Sequence, residues 1–131
     1  MALSQPTLTP PPRILVIEDD YANRLLFSDY LTYAGFVVLA LADGTELGPT
    51  LHAFQPDLLV LDLGLPDPDG YCILEQLQTP GGGPQLPVVV VSGYAFVDHQ
   101  ERALALGVHQ YLIKPVRMKH LVQAIQSALV R

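Results

Sequence analysis

The chain has 131 residues, of which 50% are hydrophobic and 15% are charged, and it carries a formal net charge of −6 at pH 7. This length and composition suit a single domain that buries both faces of a sheet. The acidic balance argues against direct nucleic-acid binding by this domain, because such binding relies on a positive field. No apolar run approaches the roughly 18 residues that a membrane-spanning helix needs, so we expect no membrane contact.

Residues 1–12 are rich in Ser, Thr and Pro. They lack the positive start and the apolar core of a signal peptide, and their composition is typical of a disordered segment. We therefore expect a disordered N-terminal tail over residues 1–12, one folded domain over residues 13–131 and a cytoplasmic location.

The first predicted strand covers residues 13–17 and stops abruptly at three acidic residues. Apolar, β-branched runs of this length are typical of strands that are buried on both faces of a parallel sheet. A helix is predicted over residues 22–34, with Asp20 as its N-cap and Gly35 as the left-handed residue that ends it.

The same alternation continues along the chain. Strands are predicted at residues 36–41, 58–61, 88–91 and 111–113, and helices at residues 47–54, 70–78, 98–106 and 121–129. Asp98 and Glu101 have the spacing of a capping box for the fourth helix. Five alternations with short connections imply right-handed crossovers, a parallel sheet and helices on both of its faces. The predicted fold class is therefore doubly wound α/β.

Polar or charged residues follow four of the five predicted strands. Glu18 and Asp19 follow the first, Asp62 the third, Ser92 the fourth and Lys114 the fifth. In a parallel sheet these strand ends share one edge, which is where open α/β sheets bind ligands. Clustered carboxylates repel one another unless a cation neutralises them, and an all-oxygen set suits Mg²⁺. The pattern predicts a magnesium site that orients a phosphoryl donor towards Asp62.

These motifs resemble the receiver domain of two-component response regulators over roughly residues 13–131. The resemblance is carried by the acidic pair Glu18-Asp19, the run LLVLDLGLPDPDG around Asp62, Ser92, and the run QYLIKP around Lys114. It implies a five-stranded sheet in the order 2-1-3-4-5, the flavodoxin-like receiver fold.

The resemblance also implies roles for individual residues. Asp62 would accept a phosphoryl group from a sensor histidine kinase or a histidine phosphotransfer protein, forming a covalent aspartyl phosphate. Mg²⁺ would be bound by Asp19, Asp62 and the backbone carbonyl of Gly64, with Glu18 acting through a metal-bound water. Lys114 and the Ser92 hydroxyl would contact phosphoryl oxygens, as positioning groups do in such transfers.

The implied output is a change of surface. Ser92 would move towards the phosphate and Tyr111 would turn inward, which alters the surface of the fourth helix, the fifth strand and the fifth helix for a downstream protein. The Lys114–Pro115 peptide bond would be cis. Such a domain is a signalling module rather than an enzyme, because it promotes only its own phosphorylation and dephosphorylation.

Some positions depart from the family pattern. Glu18 stands where Asp is more usual, Gly64 offers no side chain over the site, and Tyr94 is large enough to shield it. The last two positions influence phosphoryl lifetime in the family, and here they indicate opposite effects. Residues 79–84 have the composition of a lengthened loop.

Other interpretations remain open. A magnesium-dependent phosphatase with Asp62 as nucleophile would carry a general acid two residues later, where this chain has Gly64. A flavin or nucleotide module would need a glycine-rich loop after the first strand. A receiver-like docking platform that is never phosphorylated is the third alternative, and Tyr111 can equally be strand packing. The histidines show no metal-ligand spacing, which indicates surface positions for His52, His99, His109 and His120.

Overall fold

The computed structural model describes residues 10–66 and 68–130, so most of the predicted tail over residues 1–12 lies outside the described residues. Five strands and five helices alternate in this part of the chain. The strands are β1 (Arg13–Ile17), β2 (Val37–Leu41), β3 (Leu58–Leu61), β4 (Val88–Ser92) and β5 (Gln110–Ile113). The helices are α1 (Tyr21–Tyr33), α2 (Leu47–Phe54), α3 (Gly70–Leu77), α4 (Val97–Ala105) and α5 (Met118–Leu129). None of these helices is long and apolar enough to cross a membrane.

The strands form one parallel sheet in the order β2-β1-β3-β4-β5. This order and the parallel pairing confirm the predicted doubly wound α/β fold. In the sheet β1 lies between β2 and β3, and its last residue, Ile17, pairs with Leu41 on one side and with Leu61 on the other. The carboxyl ends of the three strands are therefore level with one another.

Each face of the sheet carries its own hydrophobic core. On one face, residues such as Leu15, Leu59 and Val90 pack against the inner sides of α2, α3 and α4. On the other face, the alternate strand residues, such as Val16 and Val89, pack against α1 and α5. Every residue of β3 and β4 is buried, which explains why these strands are continuously apolar rather than alternating.

The helix ends follow the sequence signals in part. Asp20 caps α1 by accepting a hydrogen bond from the backbone N–H of Asn23, as predicted. Gly35 and Gly107 have φ angles of 105° and 93° just beyond α1 and α4, which suits glycine. The predicted capping box of α4 is wrong, because the helix begins at Val97 and Asp98 lies inside its first turn. There its carboxylate still interacts favourably with the helix dipole.

Gly70 fixes the path of the loop between β3 and α3. A β-carbon at this position would lie 2.5 Å from Cα of Leu63 and 2.7 Å from the carbonyl oxygen of Asp62. Both of these atoms belong to the backbone and cannot rotate away. Only glycine allows α3 to begin this close to the backbone of Asp62 and Leu63.

We expect Gly70→Ala to lower the free energy of unfolding by about 1 to 3 kcal/mol, because the added methyl group overlaps backbone atoms. Urea denaturation of the purified chain measures this change. Gly48→Ala is the matched control, since a β-carbon at position 48 meets no atom within 4 Å. Equal stabilities of the two variants would contradict the steric explanation.

Candidate functional site

The residues singled out from the sequence converge on the carboxyl edge of the sheet. Asp62 follows β3 and donates its backbone N–H to the carbonyl of Ile17 at the end of β1. Lys114 follows β5 and donates its backbone N–H to the carbonyl of Ser92 at 2.8 Å. The Lys114–Pro115 peptide bond is cis, in agreement with what the resemblance implies.

Three carboxylates, those of Glu18, Asp19 and Asp62, form a cluster at this edge. Each offers one oxygen, and these oxygens all lie within 4.8 Å of one another. Glu18 and Asp62 are only 1% and 6% exposed, whereas Asp19 is exposed. Two buried acids beside a third are costly unless positive charge compensates them.

The Lys114 ammonium group compensates part of this charge. Its Nζ lies 2.7 Å from Oε1 of Glu18 and 3.1 Å from Oδ2 of Asp62. Burial by itself would lower the pKa of Lys114, but the hydrogen bonds and charges of the two acids outweigh burial and leave the pKa raised. Lys114 is therefore positively charged at neutral pH, and the cluster of three acids around it keeps an excess of negative charge.

Glu18 combines burial with unused acceptor capacity. Burial raises the pKa of its carboxyl group, and the hydrogen bonds from Lys114 and from the backbone of Asp20 oppose the rise without cancelling it. Oε2 accepts the Asp20 N–H at 3.0 Å. Oε1 is buried and, apart from the nearby ammonium group, has no hydrogen-bond donor among the described residues. A cluster of carboxylate oxygens with this spare capacity fits a magnesium ion that retains several waters.

Both oxygens of Asp62 are held in place. Oδ1 accepts a hydrogen bond from the backbone N–H of Gly64 at 2.9 Å, and Oδ2 faces Lys114. Position 64 thus contacts the carboxylate through its N–H group. The metal contact expected of the Gly64 carbonyl stays a prediction.

Ser92 and Tyr111 meet at the backbone of Tyr94. Ser92 is fully buried, and its hydroxyl oxygen accepts the N–H of Tyr94 at 3.0 Å. Tyr111 is partly buried and donates its hydroxyl group to the carbonyl of Tyr94 at 2.6 Å. Burial is the main reason why the pKa of Tyr111 is raised, so this hydroxyl group is protonated at neutral pH.

Three side chains near the site have no functional role predicted from the sequence. Arg24 on α1 donates from Nη1 to the carbonyls of Glu18 and Asp19, at 3.0 and 3.2 Å, and braces the acidic turn. Tyr71 on α3 and Nδ1 of His99 on α4 lie in hydrogen-bond contact at 2.8 Å. His99 lies on the surface of α4 as expected, but its ring is partly buried against Tyr71 rather than fully solvated. A lone residue in a helix has no spacing pattern, so no sequence signal marks these three.

Comparison with protein-family models decides the family. The model of the response regulator receiver domain matches residues 14–126. The chain belongs to this family. A receiver domain is a signalling domain of two-component systems, so the class of function predicted from the sequence is confirmed at that level.

Curated relatives agree with this assignment. The receiver is 33% identical over 119 residues to the probable transcriptional regulatory protein SilR of Salmonella typhimurium, covering 91% of this chain and 51% of SilR. It is 26% identical over 119 residues to the polar-differentiation response regulator DivK of Brucella anthropi, covering 91% of this chain and 97% of DivK. The chain thus spans about half the length of SilR and nearly all of DivK.

A solved structure shows the same fold. The response regulator receiver domain protein (CheY-like) of Methanospirillum hungatei JF-1 superposes with a TM-score of 0.80 at 28% identity. The superposition covers 91% of this chain and 94% of that chain. The superposed part is thus most of both chains.

We expect Lys114→Met to lower the free energy of unfolding by about 1 to 3 kcal/mol at neutral pH in a metal-free buffer, because two buried acids lose their cation. The deficit should shrink as the pH falls. A carboxyl group with a raised pKa binds its proton more readily in the folded state, so acid favours folding through Glu18, and more strongly once Lys114 is absent.

Urea denaturation with EDTA at about pH 7.5 and about pH 5.5 measures both effects. The change in the free energy of unfolding between the two pH values reports the difference in proton binding between the folded and unfolded states. Lys119→Met, at an exposed lysine of α5, is the control and should leave stability unchanged at both values. A Lys114→Met deficit that is the same at both pH values would contradict the role given to Glu18.

Proposed function

We propose that this receiver accepts a phosphoryl group on Asp62 from a phosphohistidine of a sensor histidine kinase or a histidine phosphotransfer protein. The observation that carries the proposal is the arrangement around one carboxylate. Asp62 lies at the end of a buried strand, with Lys114 at 3.1 Å, Glu18 and Asp19 in the same cluster and Ser92 at the end of the adjacent strand.

The chemistry is a transfer between two nucleophiles. An oxygen of Asp62 forms a bond to phosphorus while the bond between phosphorus and the donor imidazole nitrogen breaks, and the imidazole keeps the electron pair. Lys114 lies beside Oδ2, where its charge stabilises negative charge on the transferred group. The Gly64 N–H on Oδ1 orients the carboxylate for this attack.

Magnesium is the cofactor that these residues fit. Asp19, Asp62 and the Gly64 carbonyl would hold the ion, with Glu18 reaching it through water. When bound, Mg²⁺ supplies positive charge that offsets the charge on the phosphoryl oxygens. Without such compensation, the excess negative charge of the cluster would repel an incoming phosphoryl group.

The output is a change at the face formed by α4, β5 and α5, which a downstream protein reads. Ser92 accepts the N–H of Tyr94 at its hydroxyl oxygen, and Tyr111 donates its hydroxyl group to the carbonyl of the same residue. Movement of Ser92 therefore bears on Tyr111 through Tyr94. The phosphoryl group would shift a two-state equilibrium by binding one arrangement of these residues better than the other.

The first test is intact mass after incubation with acetyl phosphate and Mg²⁺. We expect one phosphoryl adduct in the wild type and none in Asp62→Asn or with excess EDTA. Asp19→Asn should need more Mg²⁺ for the same yield, because it removes one charged ligand. Asp29→Asn, at an exposed acid of α1, is the matched control and should behave as the wild type. An adduct that forms equally in Asp62→Asn would contradict the proposal, and rapid turnover of generic phosphate esters would favour a phosphatase.

The switch has a separate test. Beryllofluoride mimics a phosphoryl group on a carboxylate, and amide NMR shifts report where the backbone responds. We expect shifts in α4, β5 and α5 of the wild type, and shifts confined to the residues around Asp62 in Tyr111→Ala. If both proteins respond over the same residues, Tyr111 is strand packing and not part of the switch.

A further inference from the structure

The end of the Tyr94 ring lies beside Gly64, the residue whose N–H binds Oδ1 of Asp62. A β-carbon built on Gly64 would lie 3.4 Å from the Tyr94 hydroxyl oxygen and 3.6 Å from Oδ1 of Asp62. The end of the Tyr94 ring is therefore next to the space that a side chain at position 64 would enter. Gly64 and Tyr94, which indicate opposite effects on phosphoryl lifetime when considered separately, are therefore neighbours in the structure.

The Tyr94 ring is held by a neighbour on α4. Its centroid lies 4.6 Å from that of the His99 imidazole, with 31° between the ring planes. The N–H and carbonyl of Tyr94 are bonded to Ser92 and Tyr111, so its backbone is fixed as well. Tyr94 is itself 40% exposed, so part of its ring faces solvent while the His99 imidazole covers another part. Aromatic contacts of this kind favour one ring position over free rotation.

His99 is held in turn by a buried tyrosine on α3. The Tyr71 hydroxyl oxygen lies 2.8 Å from Nδ1 of His99 and 3.3 Å from its carbonyl oxygen, so it can bind the ring and the backbone together. Tyr71 is only 6% exposed, and the Arg102 guanidinium lies 3.8 Å from its ring centroid. Burial is the main reason why the pKa of Tyr71 is raised, which keeps the hydroxyl proton in place at neutral pH.

We propose that Tyr71 and His99 are positioning residues that hold Tyr94 beside Asp62 and thereby slow the hydrolysis of the phosphorylated carboxylate. The proposal rests on the proposed function. In the hydrolysis, a water oxygen bonds to phosphorus, the bond between phosphorus and the Asp62 oxygen breaks, and the carboxylate leaves with that electron pair. The water proton passes to the phosphate product or to solvent. A ring held beside Gly64, next to the residue that carries the phosphoryl group, reduces the approaches that are open to water.

Both positioning residues lie outside the acidic cluster. Tyr71 is on α3 and His99 is on α4, and both helices pack on the same face of the sheet. Tyr71 is the second residue of α3, directly after Gly70, which packs on the backbone of Asp62 and Leu63. The residue that positions His99 therefore follows directly after the glycine that packs against the backbone of Asp62. Removing either side chain leaves the charges around Asp62 unchanged, so its effect on phosphoryl loss reports on the position of Tyr94.

The test follows the decay of the adduct by intact mass, after acetyl phosphate has been removed from the phosphorylated protein in the presence of Mg²⁺. We expect decay to be about two- to tenfold faster in Tyr94→Ala, His99→Ala and Tyr71→Phe, the range that loss of an aromatic contact or of its anchor predicts. His99→Phe keeps a ring beside Tyr94 and should recover part of the wild-type lifetime. His52→Ala, at an exposed histidine of α2, is the matched control and should decay as the wild type.

A double variant separates positioning from general loss of structure. If His99 acts through Tyr94, His99→Ala should not accelerate decay further in a Tyr94→Ala background. Independent, additive effects would overturn the proposal, as would equal lifetimes of the wild type and His99→Ala. An adduct that forms normally but decays alike in all variants leaves the proposed function standing and overturns this inference alone. No adduct in the wild type overturns both.

Discussion

The ion pairs of Lys114 with Glu18 and Asp62 make the rest of the site possible. Carboxylates that are 1% and 6% exposed cannot both stay charged without a partner, and the ammonium group lies within 2.7 and 3.1 Å of them. The fold brings this partner from β5, two strands away from β3, because parallel strands end at a common edge. Asp19 completes a cluster whose negative charge exceeds what one lysine offsets. That excess is the physical reason why a divalent cation belongs in the proposed reaction.

Beside this charged centre, Tyr94 contacts several of the residues near Asp62. Tyr94 accepts the Tyr111 hydroxyl group at its carbonyl, donates its N–H to Ser92 and places its ring between Gly64 and His99. A change at Asp62 that moves Ser92 would be felt by Tyr111 through the backbone and by His99 through the ring. The proposed switch and the proposed control of hydrolysis therefore use different parts of one residue.

The loop after β3 shows how closely function and packing are linked here. Asp69 caps α3 by accepting the N–H of Cys72, and Gly70 allows the helix to begin against the backbone of Asp62. Tyr71, the next residue of α3, contacts His99 of α4, and the Gly64 N–H binds the Asp62 carboxylate. A side chain at position 70 would therefore disturb both the start of α3 and the backbone of Asp62.

The sequence by itself determined the fold, because apolar runs such as residues 58–61 indicate buried parallel strands. The polar residues Asp62 and Lys114 mark where two of these strands end. The sequence also identified the edge of the sheet at which Glu18, Asp62 and Lys114 come together, since strand ends of a parallel sheet must meet there. It misplaced the start of α4, where Asp98 proved to be a first-turn residue, and it gave no sign of the Tyr71 and His99 contact. Such contacts join helices that are distant in sequence, and only the tertiary structure decides which side chains face each other across them. The same holds for Gly64 and Tyr94, because only the structure shows that the Tyr94 ring lies beside the position where Gly64 has no side chain.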